Sequence, residues 1–370
     1  MSGVVIIGAG HAAGQAAASL RQAKYEGDIT IIGDEAHIPY QRPPLSKAYL
    51  KGEQSADKVY LRAESFYADR NITMKLSTTA TAIDTAAKTV ALNTDETLSY
   101  DHLLISTGSR PRKLSIEGSG LPGIHYLRTM DDVDGLREGM RPDANLVIVG
   151  GGYIGLEVAA VGRELGLNVH VLEMEERILQ RVTTPEMSAY YHQLHEGRGV
   201  HIHTSTGVTG FAGDGKVEEV ICGDQRFAAD IVIVGIGIIA NTELAEAAGI
   251  HCDNGIVVDE HCRTSDPFVY AAGDCTNHPN PLLDRRLRLE SVPNAMDQAR
   301  VSTANMLGDE KTYAAIPWFW SDQYELKLQM VGFSADGDTQ VLRGDMASNQ
   351  FAVFYLKDGK VVAADAVNSP

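Results

Sequence analysis

The chain has 370 residues and a formal net charge of −17, with 49 Asp and Glu against 32 Lys and Arg. That length suits two or three domains, and the acidic balance argues against nucleic acid as a partner while favouring solubility. No apolar run approaches the ~18 residues of a membrane span, so no membrane association is expected.

The first predicted strand, Val4-Val5-Ile6-Ile7, starts so close to Met1 that no leader is expected, and it runs into Gly8-Ala9-Gly10-His11-Ala12-Ala13. This is a G-x-G-x-x-A turn. Gly8 takes the tight bend, Gly10 lets the backbone approach a pyrophosphate, and Ala13 lets helix and strand pack closely. The Ala-rich stretch 14–21 favours helix. A second strand over 28–32 leads to Asp34, about 20 residues past the turn, where a βαβ unit places an acid beside a ribose hydroxyl. The following segment, Pro39-Tyr40-Gln41-Arg42-Pro43-Pro44-Leu45-Ser46-Lys47, contains no sulfur. Further on, Leu103-Leu104-Ile105-Ser106-Thr107-Gly108-Ser109-Arg110-Pro111 resembles the A-T-G hinge of FAD-binding oxidoreductases, with Ser106 in place of alanine.

A second fingerprint, the full G-x-G-x-x-G, follows the strand Leu146-Val147-Ile148-Val149 as Gly150-Gly151-Gly152-Tyr153-Ile154-Gly155. One such turn is weak evidence, but two in strand–turn–helix context imply two nucleotides in one chain. Glu173 closes the next strand, where a carboxylate accepts from both ribose hydroxyls of NADH and repels a 2′-phosphate. Arg177 and Arg181 are nearby cations that oppose this preference. The apolar run Ala229–Gly237 is expected to lead the chain back across a domain boundary. Beyond it, Thr264–Asp274 matches the T-x6-A-x-x-G-D pattern of FAD-binding oxidoreductases, in which the aspartate accepts from the ribityl chain, so the first fingerprint is assigned to FAD and the second to NADH. After Pro317 short β-runs take over, with Lys357-Asp358-Gly359-Lys360 as a hairpin turn. The expected organisation is an FAD-binding domain from 1–112 and 240–311, an NADH-binding domain inserted at 113–239, and a small C-terminal domain at 312–370. Cys222, Cys252, Cys262 and Cys275 have neither C-x-x-C nor metal-ligand spacing, which predicts cytoplasmic thiols and no metal site.

The runs Y-Q-R-P-P-L-S-K (40–47), G-G-G-Y-I-G-L-E (150–157), E-S-V-P-N-A (290–295) and P-W-F-W-S-D-Q-Y (317–324) together resemble the oxygenase-coupled NADH–ferredoxin reductases of the putidaredoxin and rubredoxin type. The resemblance implies a glutathione-reductase-like α/β fold, with two Rossmann-type domains and a small α+β C-terminal domain. Relatives continue past the last hairpin, so a truncated end is expected. Non-covalent FAD and NADH are the implied cofactors. Lys47 would lie beside flavin N5 and pair with Glu157, its charge favouring reduced flavin. Tyr153 would cover the flavin and swing aside for nicotinamide. Trp320 would reach the flavin from the C-terminal domain, with Trp318 in the core. By the same carry-over Ala12, Arg42, Ala80, Arg128 and Val292 would contact FAD, beside Thr107 and Gly108 of the hinge. Arg181, Gly235 and Gly237 would contact NADH.

Hydride carries two electrons and an iron–sulfur protein takes one, a mismatch that FAD bridges. The implied acceptor is an external 2Fe-2S ferredoxin, or a rubredoxin, feeding a haem-thiolate monooxygenase or ring-hydroxylating dioxygenase. An acidic ferredoxin needs a positive patch, for which Arg285, Arg286, Arg300 and Lys327 are the candidates. The enzyme is expected as a monomer or weak homodimer. Two alternatives stay open from the residues. One is a flavin reductase of a small molecule such as monodehydroascorbate, a quinone or oxygen. The other is a redox-signalling flavoprotein resembling apoptosis-inducing factor.

Overall fold

The computed structural model describes residues 3–369. The chain divides into two compact units. One comprises Met1–Gln41, Ala56–Arg110 and Ile239–Phe319, and the other Arg42–Ser55, Pro111–Ile238 and Trp320–Pro370.

In the first unit the strand Gly3–Ile7 is buried end to end and lies between Ile29–Ile32 and Thr97–Ile105, parallel to both. Ile72–Lys75 extends this sheet beyond Ile29–Ile32, and Val269–Ala271 pairs in parallel with Leu103, Leu104 and Ile105. A central parallel strand has both faces covered, which is why it reads as an unbroken apolar run. Val4 and Ile6 pack with residues of the helices His11–Gln22 and Val292–Met306, whereas Val5 and Ile7 join a second core with Leu103, Ile105 and Ala271. The two helices pack through small side chains, since Ala13, Ala16, Ala17 and Ala299 are all fully buried. The early part of Thr97–Ile105 pairs antiparallel with Thr89–Leu92, which pairs in turn with Ala80–Asp84.

The second unit repeats the parallel plan. Asn145–Val149 lies between Asn168–Leu172 and Ile231–Val234, with Val200–His203 and Ile124–His125 at the edges. An antiparallel meander of Gly210–Ala212, Glu219–Cys222 and Gln225–Ala228 packs Phe211, Val220 and Phe227 against Val147, Val149 and Val232. The C-terminal residues form a five-stranded sheet in the order Trp318–Gln323, Leu326–Val331, Lys360–Val367, Gln350–Lys357, Thr339–Asp345. Asp358 and Gly359, at φ 49° and 74°, make the two-residue turn of its last hairpin, the type I′ geometry that an Asp-Gly pair favours. Among the described residues no helix is long and apolar enough to cross a membrane.

Two histidines constrain the pH range of this fold. His195 and His278 are fully buried, and burial pushes both imidazoles down to about 4. An unfolded chain takes up protons near the ordinary histidine value of about 6.5, so stability present above that pH is lost as pH falls toward 4. The thermal midpoint is expected to drop steadily as buffers are lowered from about pH 6.5 to 4.5. A midpoint that stayed level over that window in scanning calorimetry would contradict this placement of the two rings.

Candidate active site

The first fingerprint folds as its spacing requires. Gly8 sits at φ 102° and donates its N–H to Ile32 O at 2.8 Å, and a Cβ there would run into the Ser106 carbonyl. Gly10 is the extended N-cap of the helix His11–Gln22, and a Cβ on it would meet nothing within 4 Å. No side chain caps that helix and no acid lies in its first turn. First-turn N–H groups without an intrahelical partner, opening onto clear space, form a site for a diphosphate. Ala12 and Ala13 are buried behind the turn, and Asp34 is exposed just past the strand Ile29–Ile32.

Three distant segments meet beside this turn. A Cβ built on Gly273, at φ 92°, would lie 3.6 Å from Ala295 Cβ and 3.8 Å from Ala12 Cβ. The Gly273 N–H is held by Gln298 Oε1 at 2.8 Å, an oxygen that also accepts from Thr276 Oγ1 at 2.9 Å. Gln298 Nε2 is buried and has no partner among the described residues, which leaves a donor over at the place assigned to a polar flavin chain. Asp274 Oδ2 accepts from Ser109 Oγ at 2.8 Å. Thr107 and Gly108 are tied to Asn241, with Thr107 Oγ1 donating to Asn241 O at 2.7 Å and Asn241 N donating to Gly108 O at 3.0 Å. Ser106, the departure from the A-T-G pattern, is accommodated because its hydroxyl donates to Ile7 O at 2.9 Å. Ala80 and Val292 are half-buried, and Ser291 caps the helix that Val292 begins.

The second fingerprint repeats this chemistry. Gly150, at φ 108°, donates to Leu172 O at 2.8 Å, and a Cβ there would strike the Gly235 carbonyl. Gly152 is the extended, uncapped start of the helix Tyr153–Glu164, with nothing within 4 Å of a Cβ placed on it. Gly155 packs directly against the Gly150 carbonyl, while Ile154 is exposed. Gly235 donates to Val149 O at 2.8 Å, and Gly237 adopts φ 105° beside open space. Glu173 has a second duty that its spacing did not reveal. Its Oε2 accepts from Gly151 N at 2.7 Å and its Oε1 from Glu175 N at 2.9 Å, so the carboxylate braces the turn it is expected to complement. Arg177 is occupied with Ser188 Oγ and Gln180 O, whereas Arg181 is exposed.

Lys47 and Glu157 do pair, at 2.6 Å. Lys47 follows the short turn Pro43–Ser46, Glu157 is buried on the helix Tyr153–Glu164, and both belong to the second unit. The carboxylate also accepts from Ser46 Oγ at 2.5 Å and from Ser321 Oγ at 2.7 Å. A buried charge needs such partners to offset its lost hydration. Ser46, Ser109, Ser321 and Gln298 were not singled out from the sequence. Nothing local marks a serine or glutamine that acts through its fold neighbours.

Other expectations need adjustment. Trp318 is 37 % exposed rather than in the core, because it opens the strand Trp318–Gln323 before the inward-facing Ser321 and Gln323. Trp320 is half-buried in the second unit. Tyr153 donates its hydroxyl to Met330 Sδ at 2.9 Å, so a swing of this ring must first break that bond. Arg42 donates to the backbone carbonyl of Arg128 at 2.5 Å, and both lie in the second unit. Arg286 is a structural brace, its guanidinium bound to Val258 O, Asn277 O and Asn277 Oδ1. Arg300 pairs with Asp297 at 2.5 Å, while Arg285 and Lys327 are exposed. All four cysteines are free, and burial pushes the Cys252 and Cys275 thiols up to about 11 and Cys262 to about 12.

Glu173→Gln removes the charge and keeps one acceptor oxygen, which can serve only one of the Gly151 and Glu175 N–H groups. Loss of hydrogen bonds to a charged acceptor costs ~1.5–3 kcal/mol, so the NADH-over-NADPH ratio in kcat/KM is expected to fall roughly 10-fold or more. FAD content should not change. An unaltered ratio would remove Glu173 from nucleotide recognition.

Two family models match the chain. Residues 2–299 match the pyridine nucleotide-disulphide oxidoreductase model, and residues 318–370 match a reductase C-terminal model. Putidaredoxin reductase CamA of Pseudomonas putida is 46% identical, with 99% of this chain and 89% of that protein covered. A rubredoxin-NAD(+) reductase of Pseudomonas putida is 38% identical, over 99% of this chain and 96% of its own length. Among solved structures, the covalent putidaredoxin reductase–putidaredoxin complex superposes with a TM-score of 0.97 at 46% identity, covering 100% of this chain and 90% of that one. The chain belongs to the pyridine nucleotide-disulphide oxidoreductase family and, within it, to the ferredoxin and rubredoxin reductases.

Proposed function

We propose that this chain is an FAD-dependent NADH:ferredoxin oxidoreductase, working in the cytoplasm and passing single electrons to a 2Fe-2S ferredoxin or a rubredoxin of an oxygenase system. The observation that carries the reading is the presence of two uncapped, glycine-started helices in one chain, each opening onto space that a diphosphate can fill. Bound FAD supplies the conversion of a hydride pair into single electrons. The residues do the rest. Gly8 and Gly10 would hold one diphosphate, and Asp274, oriented by Ser109, would hold the ribityl hydroxyls. Gly150, Gly152 and Glu173 would hold NADH. Lys47, kept in place by Glu157, would supply a positive charge to the reduced flavin, while Tyr153 and Trp320 would cover the ring and exclude water.

The segment 39–47 puts Ser46 and Lys47 where dithiol-using relatives would need sulfur, and the chain's own thiols are held protonated by burial. The acceptor is therefore a one-electron protein rather than a disulfide. Putidaredoxin and rubredoxin, named with the relatives, fit this role.

Alkylation of the accessible cysteines is expected to leave NADH-driven ferricyanide reduction nearly intact. Ferredoxin-dependent cytochrome c reduction should fall with added salt more steeply than ferricyanide reduction does. Exposed charges such as Arg285 and Lys327 are screened over ~8–10 Å at physiological ionic strength. Efficient NADH-driven reduction of glutathione disulfide, abolished by alkylation, would contradict the proposal.

A further inference from the structure

A line of hydrogen bonds runs from the Glu157 carboxylate through the C-terminal sheet to a buried histidine. Ser321 Oγ donates to Glu157 Oε1 at 2.7 Å, and Gln323 Nε2 donates to Ser321 Oγ at 3.2 Å. Gln323 Oε1 lies 2.8 Å from His195 Nε2, and Tyr324 OH lies 3.2 Å from His195 Nδ1. All of these residues belong to the second unit. With the His195 ring neutral, as its burial favours, only one arrangement of protons satisfies the whole line. Gln323 has one acceptor oxygen, so His195 must carry its proton on Nε2, and Nδ1 must then accept from Tyr324. Every donor therefore points the same way, toward the carboxylate. His195, Ser321 and Gln323 are almost completely buried and so are shut off from bulk water.

The far end of the line is held under strain. Tyr324 adopts φ 55° in the two-residue turn between Trp318–Gln323 and Leu326–Val331, a conformation that aromatic residues rarely take. Its ring packs 5.2 Å from the His195 ring, and the Arg198 guanidinium lies 4.7 Å from its centroid. The turn thus delivers a hydroxyl to His195 Nδ1, where a glycine at the same position would deliver none.

We infer that Ser321, Gln323 and His195 form a positioning relay that fixes the orientation of Glu157, and through it the ammonium of Lys47, for hydride transfer from NADH. The inference rests on the reading that Lys47 acts beside the flavin. These residues touch neither cofactor in that reading and act only through Glu157. The titratable groups facing the relay are Lys47 and Tyr191 at Glu157, and Tyr324, His192 and Arg198 at His195.

The test compares the FAD-loaded native enzyme with Ser321→Ala, Gln323→Glu and Lys47→Gln. Flavin reduction by NADH is followed anaerobically by stopped flow. Losing one donor frees the carboxylate to turn away from Lys47, so the reduction rate is expected to fall about 10-fold in Ser321→Ala, the effect of one lost hydrogen bond to a charged group. Gln323→Glu keeps the side-chain shape but cannot donate to Ser321, and it should slow reduction in the same direction even if Ser321→Ala fails to fold. A readout independent of turnover is the nitrogen NMR of His195 without NADH. The native ring should be neutral with its proton on Nε2 at pH 7, and Gln323→Glu should draw it toward the doubly protonated form. Slow reduction in Lys47→Gln with native rates in both relay variants would overturn the relay alone. A native rate in Lys47→Gln would overturn the relay together with the role given to Lys47, and a native His195 that titrates near 6.5 would overturn the relay geometry.

Discussion

A carboxylate buried on a helix is costly unless its charge is met, and at the Glu157 side chain two segments distant in sequence are brought to meet one. Lys47 and Ser46 come from the short turn Pro43–Ser46 and the residue after it, and Ser321 comes from the C-terminal sheet. Removing any one of them leaves the carboxylate short of a partner. Arg42–Ser55 and Trp320–Pro370 belong to the same compact unit as the second fingerprint's sheet, although the chain leaves that sheet's sequence range to supply them. The helix that begins at Gly152 thus presents uncapped N–H groups at its first turn and an ion pair one turn later.

Both nucleotide turns were legible because each depends on a local rule. Gly8 and Gly150 take positive φ where a Cβ would strike a neighbouring carbonyl, and Gly10 and Gly152 begin helices with open space before them. The apolar runs at 4–7 and 146–149 became central parallel strands for the same local reason. The Asp358-Gly359 turn was equally readable, since a type I′ turn demands two positive φ values. What escaped the sequence is what depends on tertiary neighbours. Ser321 and Gln323 read as the polar members of an ordinary strand, yet they face inward on Trp318–Gln323 while Trp318 stays half outside. Arg286 read as part of a basic surface run, but three oxygens close to it in space make it a brace. Glu173 was placed correctly at the end of its strand, while its bracing of Gly151 needed the folded loop to become visible.

The family description speaks of disulphides, and this chain departs from that chemistry in a physically definite way. Its thiols are scattered and three of the four are buried. Burial holds them in the unreactive protonated form. What takes the corresponding place along the chain is a charge pair whose field would favour an electron-rich ring. A charge pair cannot accept electrons, so in this branch the electrons must leave the flavin directly for an outside carrier.

That claim is tested most directly by stoichiometry. The FAD-loaded protein, mixed anaerobically with one equivalent of NADH and an excess of oxidised 2Fe-2S ferredoxin, should yield two reduced ferredoxins per NADH consumed, with the flavin returned to its oxidised spectrum. A flavin bleached by NADH that stays bleached, with the ferredoxin still oxidised, would contradict the account.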